Sequence, residues 1–459
     1  MMRDARGLDV TSAAPEAVAA LDGAVLSLLA HRADLSARLK QAVALDPGLV
    51  PAHLLAGFGA LVAARAELRP DALHHLFAAR AALRARGGTA REHALVQALS
   101  AWAEAGDMAA SATLLEGVLR AAPLDAMALK LAHAIRFMLG DATAMRLAVE
   151  SALPAWDRSI PGYGFVLGCH AFALEETGAA ATAELAGRAA VAVAPDDLWG
   201  AHAVAHVMER EGRARQGLAW IAGLHPGLPE SGSFGRHLHW HAALFHLHLG
   251  QADAALALFD RDIAALPCED VRDFANAASL LWRLEAQGVS VGAARWEALA
   301  DLAARRADEP GLAFIDLHHV LALAAAGRRA ALAMKLEAMQ RRAAAEVDSQ
   351  ARVLALVGLP AARAIALLRD DPAEAVALLL PLRHRLRAVG GSEAQRDLFE
   401  RMLIEAALRA GQKALGAALL GDRGAQRALG AWEDQRGAMS PARTQSSPRA
   451  CQVTRLEVA

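Results

Sequence analysis

Glycines fall at an almost even beat through the middle of this chain. Gly106, Gly140, Gly178, Gly212, Gly250 and Gly288 are 34, 38, 34, 38 and 38 residues apart, and Gly327 follows after 39. Each ends one apolar helical stretch and precedes another. A period of this size restricts the fold to a stack of helix–turn–helix units, each contacting mainly its neighbours. The sequence therefore predicts an all-α protein, a tetratricopeptide-like α-solenoid wound as a right-handed superhelix. The glycines read as turn residues, placed where left-handed backbone would strain a side chain.

Length agrees with stacking, since 459 residues exceed what one compact core normally serves. Apolar residues make up 55% of the chain and aromatic ones 4%. Alanine and leucine predominate, and both favour helix. The net charge of −2 offers no basic field for a phosphate backbone, so nucleic-acid binding is not expected. Cys169, Cys268 and Cys451 are far apart, without a C-x-x-C pair, so a reducing compartment is expected. The sequence shows no secretory signal pattern, and no run is expected to reach the roughly eighteen apolar residues of a membrane span. These features predict a cytoplasmic protein that does not engage membranes.

Three regions are expected: an N-terminal leader and helix at 1–45, the solenoid at 46–425, and a disordered Ser/Pro/Arg/Gln-rich tail at 437–459. Within the solenoid, Pro123 stops a helix and Asp125 caps the next, and Ala194-Pro195-Asp196-Asp197 repeats that punctuation. Two longer connections, 153–163 and 225–235, are expected to border a working surface.

Eight of the 18 histidines lie between His202 and His248. His202 and His206 are four apart and share a helical face, as do His237 and His241, with Trp240 beside them. Asp316, His318 and His319 follow two units later. Upstream, Cys169, His170, Glu175 and Glu176 precede Gly178. Counted back from the turn glycines, His237, His202, His206 and Glu175 lie at offsets of 13, 10, 6 and 3, which is one face at 3.6 residues per turn. His241 and His318 share an offset of 9. All belong to first helices of their units, which line the concave groove of such solenoids. His246 and His248 point away and are expected in solvent. His53, His74, His75 and His133 have no partner at a useful spacing.

Three roles fit this pattern. The imidazoles can tie neighbouring helices together by hydrogen bonds. His202, His206 and His241 can hold a divalent metal such as zinc, with Glu175 or Asp316 completing a tetrahedral set. The third role is a metal-free acid–base or recognition pocket. The spacing is not H-E-x-x-H, because Ala203 and Val204 follow His202, so the metalloprotease base is missing. Farther on, Ser392 and Gln395 form a capping-box pattern after Gly390 and Gly391. Arg396 and Asp397 are left over as a surface ion pair or a polar contribution to the groove.

The chain resembles the tetratricopeptide repeat protein 38 family. The resemblance runs through Ala171–Gly178, Ala194–Trp199, His202–Glu209, His237–His241 and Ala255–Asp260. It continues through Leu280–Leu284, Asp316–His318, Leu379–Arg383 and Gly390–Asp397, and covers most of residues 40–425. It implies an α-helical repeat fold and no established reaction. Leu238 stands where the family pattern His-Asn-x-Trp-His carries asparagine.

These observations predict a binding or scaffold protein whose His-rich groove accepts a peptide or small ligand, with Trp240, Asp316, Arg396 and Asp397 among the contacts. The alternative is an enzyme, in one form a zinc-dependent hydrolase, using His202, His206, His237, His241, His318 and Glu175.

Overall fold

The computed structural model describes residues 1–224, 231–264 and 270–439. These fold almost wholly as helices, as the alanine- and leucine-rich composition dictates. The one sheet among the described residues is a short antiparallel pair, Met2–Arg3 against Asp9–Val10. Every turn glycine of the repeat adopts positive φ, from +66° at Gly106 and Gly140 to +85° at Gly288. On either side of each lies one helical pair: Ala90–Ala103 with Met108–Ala121, Ala126–Met138 with Ala142–Ala152, and so on to Ala313–Ala325 with Arg329–Ala345.

The expected punctuation forms as written. The carboxylate of Asp125 accepts from the Ala128 amide, and that of Asp197 from the Trp199 amide, satisfying donors that a helix start leaves free. Ser392 and Gln395 make a reciprocal capping box at the head of helix Glu393–Arg409.

The expected single helix after the leader is two helices, Pro15–Leu29 and Leu35–Leu45, separated at His31, whose φ is +55°. The leader itself is pinned, with the buried Arg6 guanidinium 2.7 Å from Asp22. At the other end, the expected tail overlaps helix Ala431–Met439; its remainder, 440–459, lies outside the described residues. One described stretch, Ser349–Leu367, is long and apolar enough to cross a membrane, contrary to the expectation of no such run. Half of that window is buried within the fold.

Apolar side chains gather in two large cores, one drawn from Val10 to Ala203 and the other from Leu198 to Trp432. Helix Leu198–Arg210 lies at their seam. Its Trp199 and Ala203 face the first core, and Val204, Ala205 and Met208 face the second.

Segments distant in sequence also meet directly. Ser349 donates its amide to the Gly106 carbonyl at 3.3 Å, and the Ser349 hydroxyl accepts from the Met108 amide at 3.1 Å. The Ala428 amide donates to the Arg210 carbonyl at 2.9 Å. Gly140 lies so close to this returning chain that a Cβ there would sit 1.7 Å from the Arg387 carbonyl oxygen. The C-terminal third therefore packs back over the middle of the molecule.

Candidate metal centre

Four of the predicted histidines converge. His202 and His206 come from helix Leu198–Arg210, and His237 and His241 from helix Ser233–His248. Their four-residue spacing puts each pair on one face, and the two helices pack together. The Nε2 atoms of His206, His237 and His241 lie 2.9, 2.9 and 3.0 Å from Nε2 of His202. One nitrogen from each of the four rings lies within 4.8 Å of all the others.

The opposite ring nitrogens have separate partners. Nδ1 of His206 is 3.0 Å from Glu175 Oε2, Nδ1 of His241 is 3.2 Å from Glu209 Oε2, and Nδ1 of His237 is 3.2 Å from Asn276 Oδ1. Each partner atom is an oxygen, and an ionised carboxylate or an amide oxygen there favours the Nδ1–H tautomer of these three rings. Their Nε2 atoms are then bare lone pairs. Burial, aided by the neighbouring imidazoles, holds His202 and His237 well below the ordinary histidine range. Burial also lowers His206, and brings His241 down to about 4. All four rings are therefore neutral near pH 7.

This arrangement has a deficit of protons. Three bare nitrogens face His202 Nε2, which can carry only one hydrogen. At least two buried lone pairs consequently point inward unsatisfied, each at a cost of about 1–3 kcal/mol. Nδ1 of His202 is itself buried with no partner among the described residues. A cation among the four nitrogens satisfies every lone pair at once. Metal–imidazole distances of about 2.0–2.1 Å give a tetrahedron with edges of about 3.3 Å, a few tenths of an ångström beyond the closest separations here.

The surroundings suit a buried ion. Phe172 stacks on His202 with ring centroids 5.4 Å apart, and Trp240 stacks on His237 at 5.3 Å. Outside these rings lie carboxylates that set ring orientation, the usual arrangement behind metal-bound histidine. Burial works against the charge on Glu175, and the Arg210 guanidinium, 2.9 Å from Oε1, favours it. Glu209 is nearly buried, yet the His241 hydrogen bond and Arg427 hold it well below the usual carboxylate range.

Other predicted site residues lie elsewhere. His318 Nδ1 contacts the Phe314 carbonyl oxygen at 2.8 Å and its ring packs on Phe399; it is not among the converging rings. Asp316 cannot complete a metal set, because it holds the buried Lys335 ammonium at 2.7 Å. Arg396 and Asp397 do not form a surface pair with each other. Arg396 reaches Glu176 at 3.1 Å, and Asp397 is buried among Arg401, Arg423 and Arg427. Trp240 is fully buried and serves as a wall rather than an exposed contact.

The histidines do not line an open groove. Glu175, His202, His206 and His241 are all at most 2% exposed. Helix Glu393–Arg409 and the chain at Arg427 and Ala428 cover this side. His248, expected in solvent, is half-buried against Gly430. His133, read as partnerless, accepts from Trp199 Nε1 at 3.1 Å, and His53 meets His75 at 3.1 Å. Part of the expected 225–235 connection lies outside the described residues, and helix Ser233–His248 takes its end. Cys169 is free and buried, and burial pushes its thiol up to about 11.

Two participants escaped the sequence reading, and a third was read in another role. Glu209 stands three residues before Gly212, the same offset as Glu175 before Gly178, so the signal was present. Asn276 stands 12 before Gly288, one position from the offset of His237. His237, taken for chemistry rather than coordination, supplies the fourth nitrogen. No protein-family model matches the chain.

Proposed function

We propose that this protein is a metalloprotein that binds one divalent first-row transition ion through His202, His206, His237 and His241. The observation that carries this reading is the convergence of four Nε2 atoms, with the far-side Nδ1 atoms of three rings held by oxygens of Glu175, Glu209 and Asn276. Four imidazoles suit zinc, copper, iron or nickel. Four nitrogens saturate tetrahedral zinc, whereas catalytic zinc keeps a position open for water. A hydrolytic zinc enzyme is therefore the less favoured chemistry; an ion that accepts five or six ligands retains room for a reactant. The burial of the histidines also favours an ion over the expected peptide groove.

The helical pairs around the positive-φ glycines support a tetratricopeptide-like solenoid, and we retain the resemblance to the tetratricopeptide repeat protein 38 family and a cytoplasmic location as part of this proposal. The test is elemental analysis of protein purified without chelator, joined to X-ray absorption at the metal edge. We expect about one ion per chain and four imidazole nitrogens around it. Fully folded protein that contains no metal and takes up none of these four ions would sink the reading.

A further inference from the structure

The dipeptide Arg396-Asp397, singled out by sequence, has no place among the metal ligands. It occupies the first turns of helix Glu393–Arg409, on the chain that packs back over the centre. Arg396 reaches the histidine shell through one intermediary and Asp397 through two. Arg396 donates to Glu176 Oε2 at 3.1 Å, beside Glu175 and His206. Asp397 Oδ1 accepts from Arg427 Nη1 at 2.8 Å. The other arm of Arg427 donates to Glu209 Oε1 at 3.0 Å, and Glu209 Oε2 accepts from His241 Nδ1. A continuous chain of charge-assisted bonds thus runs from Asp397 through Arg427 and Glu209 to His241.

We propose that Asp397 and Arg427 are positioning residues for the centre, fixing Glu209 so that His241 keeps its proton on Nδ1 and offers Nε2 to the ion. This deepens the metal-binding reading and rests on it. The physical reason is directional. Glu209 is nearly buried, and without Arg427 its carboxylate has no other cation at bonding distance among the described residues. It would then swing toward water, and the acceptor that selects the His241 tautomer would be lost. Asp397 holds Arg427 in turn, and is itself kept charged by the guanidiniums of Arg401 and Arg423 as well. Such outer partners typically contribute 10–100-fold to metal affinity.

The probe is Zn²⁺, titrated into the full chain against a chelator of known affinity. Arg427→Gln is expected to weaken binding about 10–100-fold, and Arg427→Lys to recover most of the loss. Arg436→Gln is the control, because Arg436 pairs with Glu405 at the same end of the molecule without touching Glu209. It should lower the melting temperature and leave zinc affinity alone. A second readout is the ¹⁵N resonance of His241 in metal-free protein, which should change from the Nδ1–H to the Nε2–H form in Arg427→Gln. Equal losses of affinity in Arg427→Gln and Arg436→Gln would overturn the proposal. So would wild-type affinity together with an unchanged His241 tautomer in Arg427→Gln. If the wild-type chain takes up no zinc, zinc is excluded as the ion, and the tautomer measurement alone decides the role of Arg427.

Discussion

Two groups of histidine and carboxylate lie on first helices of their units, and only one brings four imidazoles together. His241 and His318 stand at the same distance before their turn glycines. His241 meets three other imidazoles, whereas His318 meets a backbone carbonyl and two phenyl rings. Helical phase is equal in the two cases, so phase is not what separates them. Adjacency is. Helices Leu198–Arg210 and Ser233–His248 pack on each other, while helix Val271–Ala286 stands between the latter and the His318 helix and contributes Asn276. The second group balances its charge internally: Asp316 is matched by the Lys335 ammonium, which also donates to the Arg306 and Glu309 carbonyls. What sets the first group apart is that four ring nitrogens share one space, and the proposed ion rests on that.

Substitution should separate the two groups cleanly. The largest effect is expected from His202→Ala, which removes the nitrogen common to all the close contacts. Metal content should fall from about one ion per chain to none, by elemental analysis, with helicity retained. Asp316→Asn should do the reverse. It strands a buried ammonium and should cost about 3–5 kcal/mol in denaturant unfolding while metal content stays at the wild-type level. Loss of the ion in that variant would erase the distinction between the groups.

Acid titration sharpens the contrast at somewhat smaller scale. Burial lowers His318 from 6.5 to about 4, so between those values the unfolded chain binds a proton that the folded chain refuses. Stability should therefore fall as pH drops from 6.5 to 4, by about 3 kcal/mol from this residue. His318→Gln should flatten that part of the stability–pH curve; a slope equal to wild type would show that His318 is not the source. The smallest effect is expected at His246, which bonds Gln251 near the surface. His246→Ala should change unfolding free energy by no more than about 0.5 kcal/mol and leave metal content intact.

The local grammar of the fold was legible. Turn glycines, Asp caps and the Ser392 box depend on a few neighbouring residues, and the sequence displays those directly. The convergence of His202, His206 and His237 was also legible, because equal phase on adjacent units is periodic information. What covers them was not. Arg427 reaches Glu209 across 218 residues and Glu393 reaches Glu176 across 217, and no periodicity encodes such a return. For the same reason a groove was expected where the structure has a buried core. Arg396 and Asp397 looked like neighbours in an ion pair because the arginines and carboxylates that claim them lie in other units.

The return of the chain onto its own middle bears on biosynthesis. Glu175 and Glu209 emerge from the ribosome well before Arg427, and closing so long a loop carries an entropic cost that local helix pairing does not. We expect the first units to assemble during translation, and the histidine shell to be covered only after Glu393 and Arg427 have emerged. Nascent chains stalled at residue 380 should then show the His202 and His241 helices open to protease, and equal protection in stalled and released chains would contradict this order of events.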